Sequence, residues 1–328
     1  MNNRRKLFVA LGAGALTAPF ASFAQQQGKV WRIGFLGAVS ASGIAGWVEA
    51  LRAGLRDFGY VEGKNLVIEF RWAEGKYERL PQLAAELVRL KVDIIVAQGT
   101  PGILAAKSAT TTIPIVMASS GDPVAAGLVA SLARPGGNVT GMAGFAPEGA
   151  AKRLEVLKDA LPRTQKVAVL FNPDSPLSMA VIFPAMEATA KSLRLELQQF
   201  PVRGPSEFDG AFAAMAKRRV DAVVTTDDAV SIANAGAIAN LASKMRLPSV
   251  GLPEFAEAGG LMAYGVNRLE LFRRAAYFVD KILKGAKPAD LPVEQATRFE
   301  TVVNLKTAKA LGIASPQSFL LRTDRVME

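Results

Sequence analysis

Small polar and acidic side chains follow several predicted strands of this chain. Those in the N-terminal half are mostly hydroxyls, and those in the C-terminal half are an amide and two acids. The residues are Ser40, Ser42, Thr100, Ser119, Ser120 and Asp122 in the first half, and Asn172, Asp227 and Glu254 in the second. Hydroxyls and backbone N–H groups suit a carboxylate, whereas acids suit an ammonium group. One small zwitterion would satisfy both sets.

Helix capping is the alternative interpretation of these residues. Thr100 and Asp122 each precede a proline, and Asp174 or Ser175 stands just before another. A polar residue followed by proline is typical of a helix N-terminus, so the pattern predicts a helix that begins after Asp122. Capping would account for any one of these residues. A binding site is favoured because they occur together.

Catalysis has few suitable residues in this chain. There is no histidine and no cysteine, which excludes histidine-dependent triads, thiolate chemistry, disulfides and zinc sites built on imidazole or sulfur. No phosphate-binding loop or dinucleotide motif occurs after a predicted strand. Asp227 and Asp228 are adjacent acids, but adjacent residues need not converge on one point. We therefore expect no metal, no cofactor and no enzymatic activity.

Strand and helix patterns alternate along the chain. In the first half, buried strands such as "WRIGFLG", "VDIIVAQG" and "IPIVMAS" are separated by amphipathic helices such as "GIAGWVEALRAGLRDFGY". The second half repeats the series, and its "VDAVVTTD" resembles "VDIIVAQG". These patterns predict an α/β fold of two similar, doubly wound parallel-sheet lobes. Ligands of such sheets bind beyond the carboxyl ends of the strands, so facing lobes would form a cleft.

The first 24 residues have the features of a cleaved export signal. Arg4, Arg5 and Lys6 precede a short apolar run, and small residues lead to a break after Ala24. The paired arginines leave open whether export uses the general or the twin-arginine route. Because the chain has no cysteine, we expect no lipid anchor. The remaining protein would be soluble in the periplasm.

Charge gives no indication of a nucleic-acid partner. Without the three basic residues of the signal, 36 Lys and Arg stand against 29 Asp and Glu, a net charge of +7. The basic residues are scattered over predicted helix faces and are not interleaved with exposed aromatic residues. A solvated surface accounts for them, and we expect no nucleic acid to bind.

Several long segments resemble a known protein family. They include "RDFGYVEGKNLVIEFRWAEG", "IPIVMASSGDPVAAGLVASLARPGGNVTG" and "FRRAAYFVDKILKGAKPADLPVEQ", and the likeness covers nearly the whole chain after the signal. The chain resembles ABC-transporter substrate-binding proteins, a family that includes tryptophan-binding lipoproteins. The resemblance implies a type I periplasmic-binding-protein fold with a hinge of three crossings. Lobe 1 would comprise residues 30–143 plus about 266–292, and lobe 2 would comprise 144–265 plus about 293–328.

The resemblance also implies which residues face the cleft. Lobe 1 would contribute Thr100, Ser119, Ser120 and Asp122, and lobe 2 with the hinge would contribute Asn172, Asp227, Glu254 and Tyr264. Many relatives have apolar residues where this chain has Ser119 and Ser120, which leaves the solute preference open.

The resulting hypothesis is a monomeric periplasmic receptor that traps an amino acid, aromatic ones included. It would deliver this solute to an inner-membrane ABC permease with a cytoplasmic ATPase, and Asp227 or Glu254 would bind the ammonium group. Two other classes stay open. One is a ligand sensor for a membrane receptor, and the other is a secreted enzyme that uses only carboxylates.

Overall fold

The computed structural model describes residues 29–144, 146–175, 178–314 and 316–328. The predicted export signal lies outside the described residues. In chain order, the strands are β1 Trp31–Gly37, β2 Leu66–Trp72, β3 Ile94–Gln98, β4 Ile115–Ser120, β5 Val139–Ala143, β6 Lys166–Phe171, β7 Glu196–Pro201, β8 Ala222–Thr225, β9 Ser249–Gly251, β10 Met262–Val266, β11 Glu294–Gln295, β12 Phe299–Asn304 and β13 Arg325–Met327.

Helices fill most of the connections between these strands. They are α1 Ala45–Asp57, α2 Leu80–Arg89, α3 Thr100–Ala109, α4 Ala146–Ala160, α5 Phe183–Leu193, α6 Phe208–Lys217, α7 Ala229–Ala233, α8 Ala235–Lys244, α9 Pro253–Glu257, α10 Arg268–Leu283, α11 Leu305–Leu311 and α12 Gln317–Leu320. Within the described ranges, no helix is long and apolar enough to cross a membrane.

Two sheets define the two lobes. The first has the strand order β11-β5-β4-β3-β1-β2, and the second has the order β13-β12-β10-β9-β8-β6-β7. The first sheet is parallel throughout its described pairs. In the second sheet β12 runs antiparallel to β10. The predicted α/β fold of two parallel-sheet lobes is confirmed.

Each sheet is covered by helices on both faces, which explains why its strands are continuous apolar runs. Strands β3 and β4 are buried along their whole length. Helix α1 covers the first sheet with an apolar stripe at helical spacing that includes Trp47, Leu51 and Leu55. Covering both faces places the polar ends of the strands, rather than their middles, at the lobe surface.

The chain crosses between the lobes three times. The crossings run from β5 to α4, from β10 to α10, and from β11 to β12. Helix α10 returns to lobe 1, where Phe272 and Ala276 share an apolar cluster with Leu51 and Leu55. Because β11 pairs with β5, the third crossing falls at 296–298, a few residues after the boundary expected near 292.

The helix expected after Asp122 does not form. Residues 123–128 form turns instead, and Gly127 has a φ of 67° that reverses the chain. The Asp122 carboxylate still accepts hydrogen bonds from Val124 N at 2.9 Å and Ala125 N at 3.0 Å. The capping chemistry is therefore present, but it closes a turn.

The two lobes touch each other through α7. Ala229 of this lobe 2 helix belongs to the same buried apolar cluster as Ala38 and Val39 of lobe 1, and Ile232 and Ala233 pack against that cluster. The lobes are therefore closed on each other.

Candidate solute-binding cleft

A cavity lies between the two lobes, beyond the carboxyl ends of their strands. It encloses about 770 Å³, counted with its opening to solvent. We call it the cleft cavity. Its polar lining residues include Gln98, Thr100, Ser119, Ser120, Arg153, Asp227 and Asp228.

Lobe 1 presents hydrogen-bond donors to the cleft cavity. Ser119 and Ser120 end β4, and Thr100 begins α3, whose first N–H groups have no partner within the helix. Thr100 Oγ1 accepts a hydrogen bond from Gly121 N at 3.1 Å, so its hydroxyl hydrogen stays available to donate. The cap position of α3 belongs to Gly99, whose φ is 79°. The Thr100 hydroxyl is thus not used as a helix cap.

Gln98 adds another donor to the same wall. Its side chain is buried, and its Oε1 accepts a hydrogen bond from Ala38 N at 3.1 Å. That bond fixes the amide, which leaves Nε2 as the group for the cavity. Ser119 Oγ accepts a hydrogen bond from Arg268 Nη1 at 3.3 Å and likewise keeps its hydrogen to donate. Such a wall suits an anionic group.

Arg153 of α4 is a fully buried cation of lobe 2, with a relative exposure of 0%. Its Nε donates to Tyr264 O at 2.8 Å, and its Nη1 donates to Thr225 O at 3.1 Å. Nη1 also lies 2.5 Å from Asp227 Oδ1. Its Nη2 is buried without a hydrogen-bond partner among the described residues. Because an unsatisfied buried donor costs roughly 1–3 kcal/mol, this atom is a position for a ligand oxygen.

Arg268 brings a second cation to Asp227. Its Nη2 lies 3.7 Å from Asp227 Oδ2, and its Nε lies 3.5 Å from Glu254 Oε1. Burial raises the pKa of Glu254, and the positive charge of Arg268 opposes the rise. Asp227 thus lies between two arginines, so any ammonium group that it binds would join a mixed cluster. Such a cluster can accommodate both charges of a zwitterion.

Tyr77 of lobe 1 meets Asp228 of lobe 2 at the edge of the cavity. The Tyr77 hydroxyl donates to Asp228 Oδ2 at 2.6 Å and accepts from Ala229 N at 3.2 Å. Asp228 Oδ1 accepts from Val230 N at 2.8 Å and caps α7. Burial raises the pKa of Asp228 to about 6. Burial and then the Asp228 charge raise the pKa of Tyr77.

The structure brings half of the sequence-predicted residues to this region. Thr100, Ser119, Ser120 and Asp227 line the cleft cavity. Asn172 is buried outside the cavity lining, and its Oδ1 accepts a hydrogen bond from Asp174 N at 3.0 Å.

The other predicted residues lie elsewhere. Ser42 and Glu254 line a second cavity between the lobes, on the other side of Arg268. Ser40 Oγ accepts from Gly43 N at 3.3 Å within its own turn. Asp122 closes the turn described above and does not line the cleft cavity.

Tyr264 also has its side chain away from the cleft cavity. Its ring stacks on Phe299, with 5.8 Å between the centroids, beside a separate surface depression that includes Lys152. Because side chains alternate along β10, the neighbouring Gly265 faces the cavity instead. Tyr264 contributes only its carbonyl, which orients Arg153.

Two residues of the cleft, Arg153 and Arg268, were not predicted from the sequence, although helix periodicity could have revealed them. Arg153 is spaced three residues from Ala150 and four from Leu157, both buried, so it occupies the apolar stripe of α4. In α10, Arg268 likewise stands three residues before Leu271 and four before Phe272, both of which are buried. A charge on an otherwise apolar stripe must have a buried partner or a ligand. Tyr77, Asp228 and Gln98 gave no such signal, because only the tertiary fold brings them to the cavity.

Comparison with known proteins identifies the family. Residues 32–327 match the sequence family described as ABC transporter substrate binding protein. A tyrosine-binding protein of Clostridioides difficile (strain R20291) is 29% identical over 260 residues, which cover 79% of this chain and 74% of the relative.

Two solved structures resemble this one over nearly its whole length. One, from Streptococcus pneumonia, is an ABC domain in complex with L-Trp, with 28% identity and a TM-score of 0.82, covering 90% of this chain and 100% of that one. The other, from Clostridium difficile, is a ligand-free, open substrate binding protein with adhesive properties, with 25% identity and a TM-score of 0.66, covering 91% and 99%. The higher score to the ligand-bound structure agrees with the contact between the lobes. The chain belongs to the family of ABC transporter substrate-binding proteins.

Proposed function

We propose that this protein is the extracytoplasmic receptor of an ABC uptake transporter and that its solute is an amino acid. The observation that carries the proposal is Arg153, whose Nη2 is buried without a partner among the described residues, beside Asp227 in the cleft cavity. A buried cation with an unused donor favours a ligand with a carboxylate.

The carboxylate of the solute would bind Arg153 Nη2 from lobe 2. From lobe 1 it would accept hydrogen bonds from the Thr100 and Ser119 hydroxyls and from the N-terminus of α3, where the helix dipole favours negative charge. The ammonium group would bind Asp227 Oδ2, which Arg268 approaches only to 3.7 Å. A solute contacted from both sides holds the lobes together.

Apolar residues of the cavity would contact the solute side chain. Ile182, Ile232 and Val266 line the cleft cavity beside the charged cluster. Relatives described as tyrosine-binding and as a complex with L-Trp make these two amino acids the first candidates.

The receptor would release its solute to an inner-membrane permease with a cytoplasmic ATPase, without chemical change. A solute favours the closed form only by its preference for that form over the open one. The permease would then recognise the closed form, so uptake would depend on solute binding.

A melting experiment tests the proposal. The purified protein is unfolded and refolded to remove any bound solute, and its melting temperature is measured with each of the twenty amino acids. A solute at 100 times its dissociation constant adds about 2.7 kcal/mol to the free energy of unfolding, which raises the melting temperature by several degrees. We expect such a shift with L-tyrosine, L-tryptophan or another amino acid. No shift with any of them would refute the amino-acid assignment.

A further inference from the structure

Tyr77 forms a hydrogen bond that joins the two lobes across the cleft. It lies between β2 and α2 of lobe 1, and its hydroxyl oxygen is 2.6 Å from Asp228 Oδ2 of lobe 2. The same oxygen is 3.2 Å from Ala229 N, at the start of α7. Both atoms belong to the part of lobe 2 that packs against lobe 1.

We infer that Tyr77 and Asp228 form a clasp that retains the bound solute by holding the lobes closed. The inference rests on the proposed function and deepens it. These two side chains act on the equilibrium between open and closed forms, and they are positioning residues rather than solute ligands.

The hydrogen-bonding capacity of the pair supports this role. Asp228 Oδ2 accepts from Tyr77, and Asp228 Oδ1 accepts from Val230 N at 2.8 Å. The Tyr77 hydroxyl both donates and accepts one hydrogen bond. Both oxygens of Asp228 and the one donor of Tyr77 are thus already engaged, whereas Arg153 has a buried donor without a partner among the described residues.

The surroundings make the clasp strong. Asp228 is 4% exposed, and Ala229 beside it is 6% exposed in the apolar cluster shared by both lobes. Opening would break the bond between Tyr77 and Asp228, and hydrogen bonds to a charged or buried group are among the stronger ones. Losing the bond should raise the rate of lobe opening about tenfold. The dissociation rate of every solute should then rise by the same factor.

The test compares Tyr77→Phe with Tyr60→Phe. Tyr60 is a matched control because its hydroxyl donates to Asp280 Oδ1 at 3.2 Å, a second buried tyrosine–aspartate pair that lies entirely within lobe 1. Both variants lose one hydroxyl and keep the ring. Dissociation rates are measured by stopped flow for L-tryptophan and for L-tyrosine.

A second readout does not need a solute. The chain has no cysteine, so Ala125→Cys on lobe 1 and Ser206→Cys on lobe 2, both exposed and both following the carboxyl end of a strand, give a unique pair of labelling sites. The distribution of distances between two spin labels at these sites reports how far the lobes are apart in the solute-free protein.

We expect Tyr77→Phe to raise the dissociation rates of both solutes by the same factor, about tenfold, and to shift solute-free protein towards longer label distances. Tyr60→Phe should change neither. Unchanged rates in Tyr77→Phe would overturn the inference, and so would an effect on one solute only, which would make Tyr77 a direct ligand. If neither amino acid binds, the proposed solute class fails first, and an unchanged distance distribution in Tyr77→Phe would then overturn the clasp separately.

Discussion

Arg153 and Asp227 form an ion pair in the wall of the cleft cavity, with Nη1 2.5 Å from Oδ1. The pair uses one side of the guanidinium, and Nη2 is left buried without a partner among the described residues. Burying this donor without a partner is unfavourable, so a ligand oxygen beside it would stabilise the arrangement. Under the proposed function, the pair would serve both the stability of lobe 2 and the recognition of the solute carboxylate.

Replacing Arg153 should remove binding. Arg153→Lys keeps the positive charge for Asp227 but loses the planar guanidinium and its unused N–H groups. We expect the affinity for the amino acid to fall at least about 100-fold, with the fold retained. Titration calorimetry measures the affinity, and circular dichroism checks the fold. Lys152→Met is the control, because Lys152 is the exposed neighbour on α4 and pairs with Glu155. Wild-type affinity in Arg153→Lys would contradict the site.

Substitutions of Thr100 and Asp122 should distinguish a residue that binds the solute from one that only accepts backbone hydrogen bonds. Thr100→Val removes a hydroxyl from the cleft cavity and should weaken solute binding about tenfold. Asp122→Ala removes the acceptor for two backbone N–H groups in a turn and should lower the free energy of unfolding by about 1 kcal/mol. Its solute affinity should stay unchanged. Calorimetry and thermal melting on both variants check this. A large loss of solute affinity in Asp122→Ala would instead show that Asp122 belongs to the solute-binding site.

Binding should become tighter at mildly acidic pH. In the closed protein, burial raises the pKa of Asp228 from 3.8 to about 6, and the hydrogen bonds from Tyr77 and Val230 N oppose the rise. Opening returns the carboxyl group to water, where its pKa is lower, so the closed form binds the proton more tightly. Closure is therefore favoured as pH falls through about 6, and this gain is lost again as pH rises. We expect solute affinity to be about tenfold higher at pH 5 than at pH 7.

Calorimetric titrations at both pH values test this dependence. The chain has no histidine, so few other groups change charge in that interval. Burial also raises the pKa of Glu254, and the variant Asp228→Asn therefore isolates the contribution of Asp228. The pH dependence should weaken in this variant. A dependence of the opposite sign in the wild-type protein would refute the assignment.

Gly265 should be intolerant of a side chain. A Cβ at this position would lie 2.9 Å from both Leu252 Cδ2 and Pro253 Cδ, and 3.7 Å from Arg153 Nη2. Gly265→Ala should therefore displace α9 or crowd Arg153, with a loss of about 1–3 kcal/mol in stability and weaker solute binding. Gly236→Ala is the control, since nothing lies within 4 Å of its Cβ and alanine favours a helix. Thermal melting and calorimetry distinguish the two, and equal behaviour of the variants would be inconsistent with this packing.

The sequence predicted the fold well because buried parallel strands leave long apolar runs between helical stripes. It also placed Thr100, Ser119, Ser120 and Asp227 at the cavity, since residues that follow a strand lie at the sheet edge. It failed for Asp122, where a turn uses the same N–H capping chemistry as a helix.

Contacts between the lobes were beyond the reach of local patterns. Tyr77 and Asp228 are 151 residues apart in the chain, and neither occupies an unusual place in its own segment. Tyr264 was misplaced for a similar reason, because the alternation of side chains along β10 decides which of two neighbours faces the cavity.

The most direct test of the central claim is to titrate three forms of one solute into the purified, solute-free protein. They are the amino acid that raises the melting temperature most, its carboxamide and its deaminated acid, with affinities measured by calorimetry. If Arg153 binds the carboxylate and Asp227 binds the ammonium group, the carboxamide and the deaminated acid should each bind at least about tenfold more weakly than the amino acid. Equal affinity for all three forms would contradict recognition of a zwitterion in the cleft.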